Sequence, residues 1–548
     1  MVLSERPAVL LLNYIMPDTD STGRIWCRMK VTGRSRFTVL AVALSLFLPL
    51  VSCGEGGDPF AQYKDGVFTL AKSASFIEGT AAVGKNGAVL DNKSRNPQMT
   101  LTGGVATPID GKGLLDIELK NTSALDKVTF SFITEADGNW TAFKQKDLAV
   151  STHNEFKVYT LDMSDQYGWI GSMTGFRFAC ESISEGELVI KSVTVRAGGE
   201  HFLAGLSIGA EEVTYTFQER TVKGIGMAPD GIMGQFKGTD GKLTFIGSNL
   251  GKLFQSTGTP DDPFQTVQYA NGIVEDVDRN KYHYASVAQV IEDTETGNLI
   301  GITHVEEDDP QGAQFFVSSI ALSISQDKGL NWYFLGVVMT HNVPHEKSLG
   351  TNRDIANGTI FVKDGYLYIY GVDIRNEPVE FGLSVARTPL VDLFAKTREK
   401  KLPEFKKLKD GQWNEPGLGG DFTNLLPEGV SPNFCYVQYN TVLKKYIMAM
   451  CNAPYYQSND GDILLLVSDD FTDWTKASRQ FVACSRKGEQ YPTMIGLGDD
   501  SQLESGSEFY LYYCKWDGVT SDADYSLIPD WQRLWGTCEY VRRKITVK

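Results

Sequence analysis

The stretch Ser325-Gln326-Asp327-Lys328-Gly329-Leu330-Asn331-Trp332 constrains this chain more than any other. It is flanked by two apolar runs, Phe315–Leu322 before it and Trp332–Val338 after it. Two such runs around a short polar segment read as a β-hairpin. The spacing Ser-x-Asp-x-Gly-x-x-Trp gives each residue a task. Asp327 can accept hydrogen bonds from turn N–H groups, Gly329 supplies a positive-φ position, and Trp332 packs back over the turn. A looser copy, Ser468-Asp469-Asp470-Phe471-Thr472-Asp473-Trp474, follows the apolar run Asp462–Val467. Strand-turn-strand units that recur and end in Asp and Trp point to a β-propeller, in which each unit is part of a blade.

The rest of the chain is consistent with an all-β protein. From about Phe60 to Ala197, short alternating runs such as Leu115–Leu119, Lys127–Phe132 and Glu155–Leu161 are separated by turn residues, with almost no helical period. About eight such strands predict a β-sandwich of jelly-roll type over residues 60–198. The aromatics that could stack on a sugar there, Trp140, Tyr167 and Trp169, read equally well as core or rim residues. Residues 199–548 then predict a five-bladed propeller. Its units start near Gly224, Tyr282, Arg353, Cys435 and Tyr491, and the last is completed by Cys538–Val547 or by a strand from the N-terminal side. Strands from both ends would close the ring and leave no exposed sheet edge. The Lys- and Glu-rich segment 392–409 predicts a short surface helix ending before Pro403, with its charges on a solvated face.

The first residues read as an address. Lys30, Arg34 and Arg36 precede an apolar run, Phe37 to Val51, of signal-peptide length. Leu50-Val51-Ser52-Cys53 matches a lipobox, which makes Cys53 the lipidated residue and Met29 the functional start. Residues 54–59 form a Gly-rich tether. These features predict an exported lipoprotein anchored to the bacterial cell envelope. The formal net charge of −16 argues against nucleic acid as a partner. The six later cysteines lack any C-x-x-C spacing, so they read as one or two disulfides or as isolated buried thiols, not as a zinc ribbon.

Several phrases resemble the five-bladed propeller glycoside hydrolases, the group of arabinanases, β-xylosidases, invertases and neoagarobiose hydrolases. They are Lys363–Tyr370, Ser384–Arg387, Asp410–Gly417, Tyr439–Tyr446 and Ser468–Trp474. The end of the sandwich segment, through Phe176-Arg177-Phe178 to Ile190–Val195, resembles galactose-binding-like carbohydrate modules. The resemblance implies an oligo- or polysaccharide substrate and carboxylates gathered at the propeller hub. It implies an Asp of the first blade as base, a Glu of a middle blade as acid and a further Asp that tunes them, which is the pair chemistry that glycoside cleavage needs. Asp230, Glu306 and Asp354 fit those positions best, although the compact His-Asp-Pro start of the arabinanase branch is absent. Asp230 also reads as a turn residue, Glu306 as part of an acidic loop, and Asp354 as a surface ion pair or a turn residue. Alternation puts His304 on the face of Glu306. His283, His304, Arg353, Asn440 and Glu489 are secondary substrate-binding candidates, and Tyr491 and Trp516 are candidate stacking platforms. The resemblance also admits a central calcium ion, but the sequence shows no dense ligand motif.

Other functions stay open at this stage. A non-catalytic glycan-binding surface lipoprotein would show aromatics and amides, not carboxylates, at the hub. A sialidase would need an arginine cluster beginning in the first blade, and no Arg lies between Arg220 and Arg279. A polysaccharide lyase would need a His or Tyr base beside a charge-neutralising group.

Overall fold

The structure is a computed structural model. It describes residues 67–70, 77–135, 138, 140–199, 205–215, 229–249, 252–268, 274–278, 280–308, 316–342, 354–376, 379–452, 462–483, 489–516 and 538–547. The expected lipid attachment at Cys53 and the expected ligand Arg353 lie outside these residues.

Two antiparallel sheets form first. One runs Ala82–Gly84, Gly87–Leu90, Leu188–Arg196, Leu114–Asn121, His153–Asp162, and the other Ile77–Gly79, Gln98–Pro108, Ser172–Ala179, Lys127–Thr134, Gln145–Ala149. Leu114–Asn121 alternates strictly between half-buried and buried residues, as one covered face demands. Its buried set Leu115, Ile117 and Leu119 shares a core with Phe130, Phe132, Phe176 and Phe178 of the opposing sheet. Trp169 belongs to that core and donates its indole N–H to Lys112 O at 2.7 Å, so it is no platform for sugar. Tyr167 packs on Phe481 of the propeller, with ring centroids 5.7 Å apart. Trp140 carries the Arg177 guanidinium over its ring at 4.3 Å.

Five further sheets follow, each the blade of a propeller. The inner strands are Gly234–Lys237, Tyr282–Glu292, Asp354–Lys363, Pro432–Asn440 and Glu489–Gly496, one per blade, and neighbouring inner strands touch around the ring. The first blade reaches out to Asp262–Gln268, past the Gly224–Leu253 span that its sequence pattern suggests. The fifth is made of Glu489–Gly496, Glu508–Trp516, Cys538–Val547 and Leu206–Tyr215. Leu206 pairs with Val547 and Tyr215 with Tyr540, so both ends of the ring meet in one blade. Buried Tyr513 locks this seam: it donates to Glu211 Oε2 at 2.5 Å and accepts from Arg543 Nε at 3.0 Å.

The turn at Ser325–Trp332 joins the third and fourth strands of the second blade. Ser325 Oγ donates to Asp327 Oδ1 (2.9 Å) and accepts from Gly329 N (2.7 Å), while Asn331 N donates to Asp327 Oδ1 (2.9 Å). Gly329 has φ +83°. Trp332 is fully buried, and its Nε1–H reaches Gly329 O at 2.9 Å. The turn at Ser468–Trp474 is built alike, with Trp474 Nε1 donating to Phe471 O at 3.0 Å. Trp332→Ala is expected to lower the stability of the chain by about 3–5 kcal/mol, measured by urea denaturation, because it empties a large closed site. A cost below about 1 kcal/mol would show that the site collapses freely.

The helix Leu390–Arg398 lies between the third and fourth strands of the third blade. Its charges are not all solvated as expected. Arg398 grips buried Asp293 of the second blade with two bonds of 2.6 and 2.7 Å. The helix therefore staples two blades from outside. All five described cysteines are free thiols.

The hub is filled. Gln235 Nε2 reaches across from the first blade to Tyr436 Oη of the fourth (2.7 Å) and to Met494 O of the fifth (2.8 Å). Gln289 Oε1 accepts from Ile360 N (2.7 Å), Gln438 Nε2 donates to Ser501 O (2.7 Å), and Gln502 Nε2 donates to Val290 O (2.8 Å). Every one of these side chains is buried. Inner strands of a small ring must pair their polar groups across the axis, and glutamine has the length and the amide to do it.

Candidate active site

Above this plug lies a cavity of about 70 Å³. Asp230, just before the first inner strand, lines it together with Tyr284 from the second inner strand. His304 and Glu306 come from the next strand of the second blade, Leu299–Asp308. Phe434 and Tyr491 come from the fourth and fifth inner strands. Four of the five blades therefore meet here. The inner strand of the third blade opens at Asp354, whose side chain is outside the described part.

Strand pairing places the second-blade groups. Tyr284 lies opposite Glu306 in the antiparallel register, and His304 lies two residues back on the same face. Glu306 is clamped: His283 Nε2 sits 3.0 Å from its Oε2, and His304 Nε2 sits 3.0 Å from its Oε1. His283 is not a core histidine; its side chain is 39% exposed. Asp230 is held by two phenols. Tyr284 Oη donates to Oδ2 at 3.1 Å, and Tyr491 Oη to Oδ1 at 3.2 Å. Ser248 Oγ backs the Tyr284 phenol at 2.9 Å, and the Asp230 N–H is bonded to Ser248 O at 2.9 Å.

The two carboxyl groups are driven apart in acidity. Burial raises Asp230, the negative charge of Glu306 raises it further, and its phenol donors pull back only in part, leaving it at about 6. Burial also acts to raise Glu306, but the hydrogen bonds from His283 and His304 outweigh it and bring that group down to about 2. This order is the reverse of the roles that the family resemblance implies. Glu306, expected as the acid, is held ionised, and Asp230, expected as the base, is the group that can carry a proton near neutrality.

Other expected ligands lie elsewhere. Asn440 ends the fourth inner strand, far along it from Phe434. Its amide caps a turn, donating to Gly506 O (2.8 Å) and accepting from Leu443 N (2.8 Å). Glu489 is buried and lines a separate cavity of about 430 Å³ between the sandwich and the fifth blade, beside Asp110, Lys515 and Arg543. The reason is local: the register breaks between Gln490 and Thr493, and Tyr491 has φ +58°, so Glu489 and Tyr491 do not share a face. Trp516 ends the strand Glu508–Trp516, and its side chain is outside the described part. Tyr284 and Phe434, absent from the expected set, are revealed only by the strand register and the ring.

Calcium takes six to eight oxygen ligands, with carboxylates prominent. Among the described residues, no group of three or more His, Cys, Asp or Glu could hold a metal ion, and the hub offers neutral amides.

No protein-family model and no curated protein matches this chain. Solved structures of similar chain path include an α-L-arabinofuranosidase from Podospora anserina in complex with cellotriose (12% identity, 59% of this chain and 92% of that one, TM-score 0.35). An exo-β-1,3-galactanase from Clostridium thermocellum matches at 12% identity over 61% of this chain and 62% of that one, TM-score 0.35. An N-acetylgalactosamine deacetylase from F. plautii, in complex with blood group B trisaccharide, matches at 10% identity over 63% of this chain and 95% of that one, TM-score 0.32. At such identities the likeness is one of chain path, and what the cavity can do follows from its own residues.

Proposed function

We propose that this chain is a glycoside hydrolase that cleaves a neutral oligo- or polysaccharide at the hub cavity. One observation carries the reading. Two buried carboxyl groups share one small cavity, and their surroundings drive their acidities to opposite sides of the mildly acidic range. A pair separated in this way suits acid-assisted departure of a sugar oxygen. Asp230 donates the proton to the glycosidic oxygen. Glu306 stays ionised and faces the positive charge that develops on the anomeric carbon. His283 and His304 hold Glu306 in place, and the proton of the attacking water leaves to solvent. In the same proposal, Cys53 carries the lipid anchor and the sandwich assists binding of the glycan.

The test is incubation of the purified chain with a panel of neutral plant and algal oligosaccharides, read by released reducing ends. Release by the wild type that disappears in both Asp230→Asn and Glu306→Gln is the expected result. Undiminished release by either variant overturns the assignment.

A further inference from the structure

Tyr491 has a backbone conformation that side-chain-bearing residues rarely adopt, φ +58°. Holding a tyrosine there costs on the order of 1–3 kcal/mol, and such positions persist where surrounding structure enforces them. The strand is bulged at the same point, between Gln490 and Thr493. What this geometry achieves is visible at the far end of the side chain. The phenol reaches Asp230 Oδ1 at 3.2 Å, and the ring is braced edge-on by Phe434 with centroids 4.6 Å apart. From the second blade, Tyr284 reaches the other oxygen at 3.1 Å and is braced edge-on by His304 at 5.7 Å. The titratable groups that face Asp230 are then Tyr284, His304 and Glu306 from the second blade, with His283 behind Glu306, and Tyr491 from the fifth.

We propose that Tyr284 and Tyr491 are positioning residues that clamp Asp230, one phenol on each oxygen, and so aim its acidic proton into the cavity. The inference rests on the reading of Asp230 as the proton donor. Each phenol hydrogen occupies one lone pair of one carboxyl oxygen. The proton of the neutral acid must use a lone pair that the phenols leave free. Two donors also fix the plane of the carboxyl group, which a single donor does not. Neither tyrosine gives up its own proton: burial, together with the charge of Asp230, holds both phenols well above their usual range.

The clamp can be read without any substrate. A phenol bonded to a carboxyl group changes its near-ultraviolet absorption when that group ionises. Difference spectra of the full chain between about pH 4 and pH 8, a range that brackets a raised carboxyl, should show one tyrosine transition in the wild type. It should vanish in Asp230→Asn and lose about half its amplitude in Tyr491→Phe and in Tyr284→Phe. On a hydrolysed oligosaccharide, Tyr491→Phe should move the alkaline limb of the kcat profile up by about one pH unit, since a donor to the ionised form is gone. Wild-type amplitude in both Phe variants, or a profile that falls in height without moving, overturns the clamp. If Tyr491→Phe does not fold, Tyr284→Phe carries the same readouts. A normal tyrosine transition in a chain that releases no sugar would sink the hydrolase reading and leave the clamp standing. Sugar release without the transition would do the reverse.

Discussion

On the hydrolase reading, Asp230→Asn is expected to lower kcat by about 10²–10⁴-fold, the usual contribution of a positioned general acid, and at the same time to make the folded chain more stable at neutral pH. The second effect separates this residue from an ordinary structural carboxylate. Asp230 is raised from 3.8 to about 6 in the folded chain, burial being the main cause. Below the ordinary value it is protonated in both folded and unfolded states, and it then has no net effect on stability. As pH rises through the interval up to about 6, the unfolded chain releases this proton more readily, and the folded state loses stability. Above about 6 the whole penalty is present, on the order of 2–3 kcal/mol. Asparagine removes it. Urea denaturation at pH 7.5 and at pH 4 checks this: the gain should appear at the higher pH and shrink at the lower. A variant that is destabilised at pH 7.5 would show that the carboxylate is held by attraction and not against repulsion.

Glu306→Gln is expected to act with the opposite sign. Glu306 is brought from 4.5 down to about 2, its burial outweighed by His283 and His304. Its contribution is therefore present above the ordinary value and lost as pH falls toward 2. At neutral pH the glutamine variant should be less stable by on the order of 3 kcal/mol. Removing the charge also removes one of the two causes that raise Asp230, so the alkaline limb of any remaining activity should move to lower pH. The double variant should not equal the sum of the singles, since the two groups interact directly. A Glu306→Gln variant as stable as the wild type at neutral pH would contradict the clamp by the two imidazoles.

Much of this architecture is legible in the sequence because turns with fixed chemistry mark the blades. Ser325–Trp332 and Ser468–Trp474 declare themselves by residue type. The neighbours His304 and Glu306 are legible because an unbroken strand repeats every second residue. Legibility ends where the backbone departs from that repeat. Glu489 looks like a partner of Tyr491 until the bulge at Tyr491 turns them to different cavities. Asn440 looks like a ligand because nothing in its own neighbourhood shows that Ser505 and Gly506 will come to meet its amide. Tyr284 and Phe434 depend on cross-strand register and ring order, which no local pattern records. The acidities of Asp230 and Glu306 depend on the same long-range placement. The acidities favour Asp230 as the proton carrier and Glu306 as the ionised group, an assignment that residue type alone does not make.

The bonded amides of Gln235, Gln438 and Gln502, with Tyr436 among them, give the cavity a floor. A polymer cannot thread through such a ring and be cut in passing. Whatever enters must back out by the door it came in, so each turnover ends with a departure against the direction of arrival. On the hydrolase reading, a glycan entering this cavity would be shortened from one end, one visit at a time.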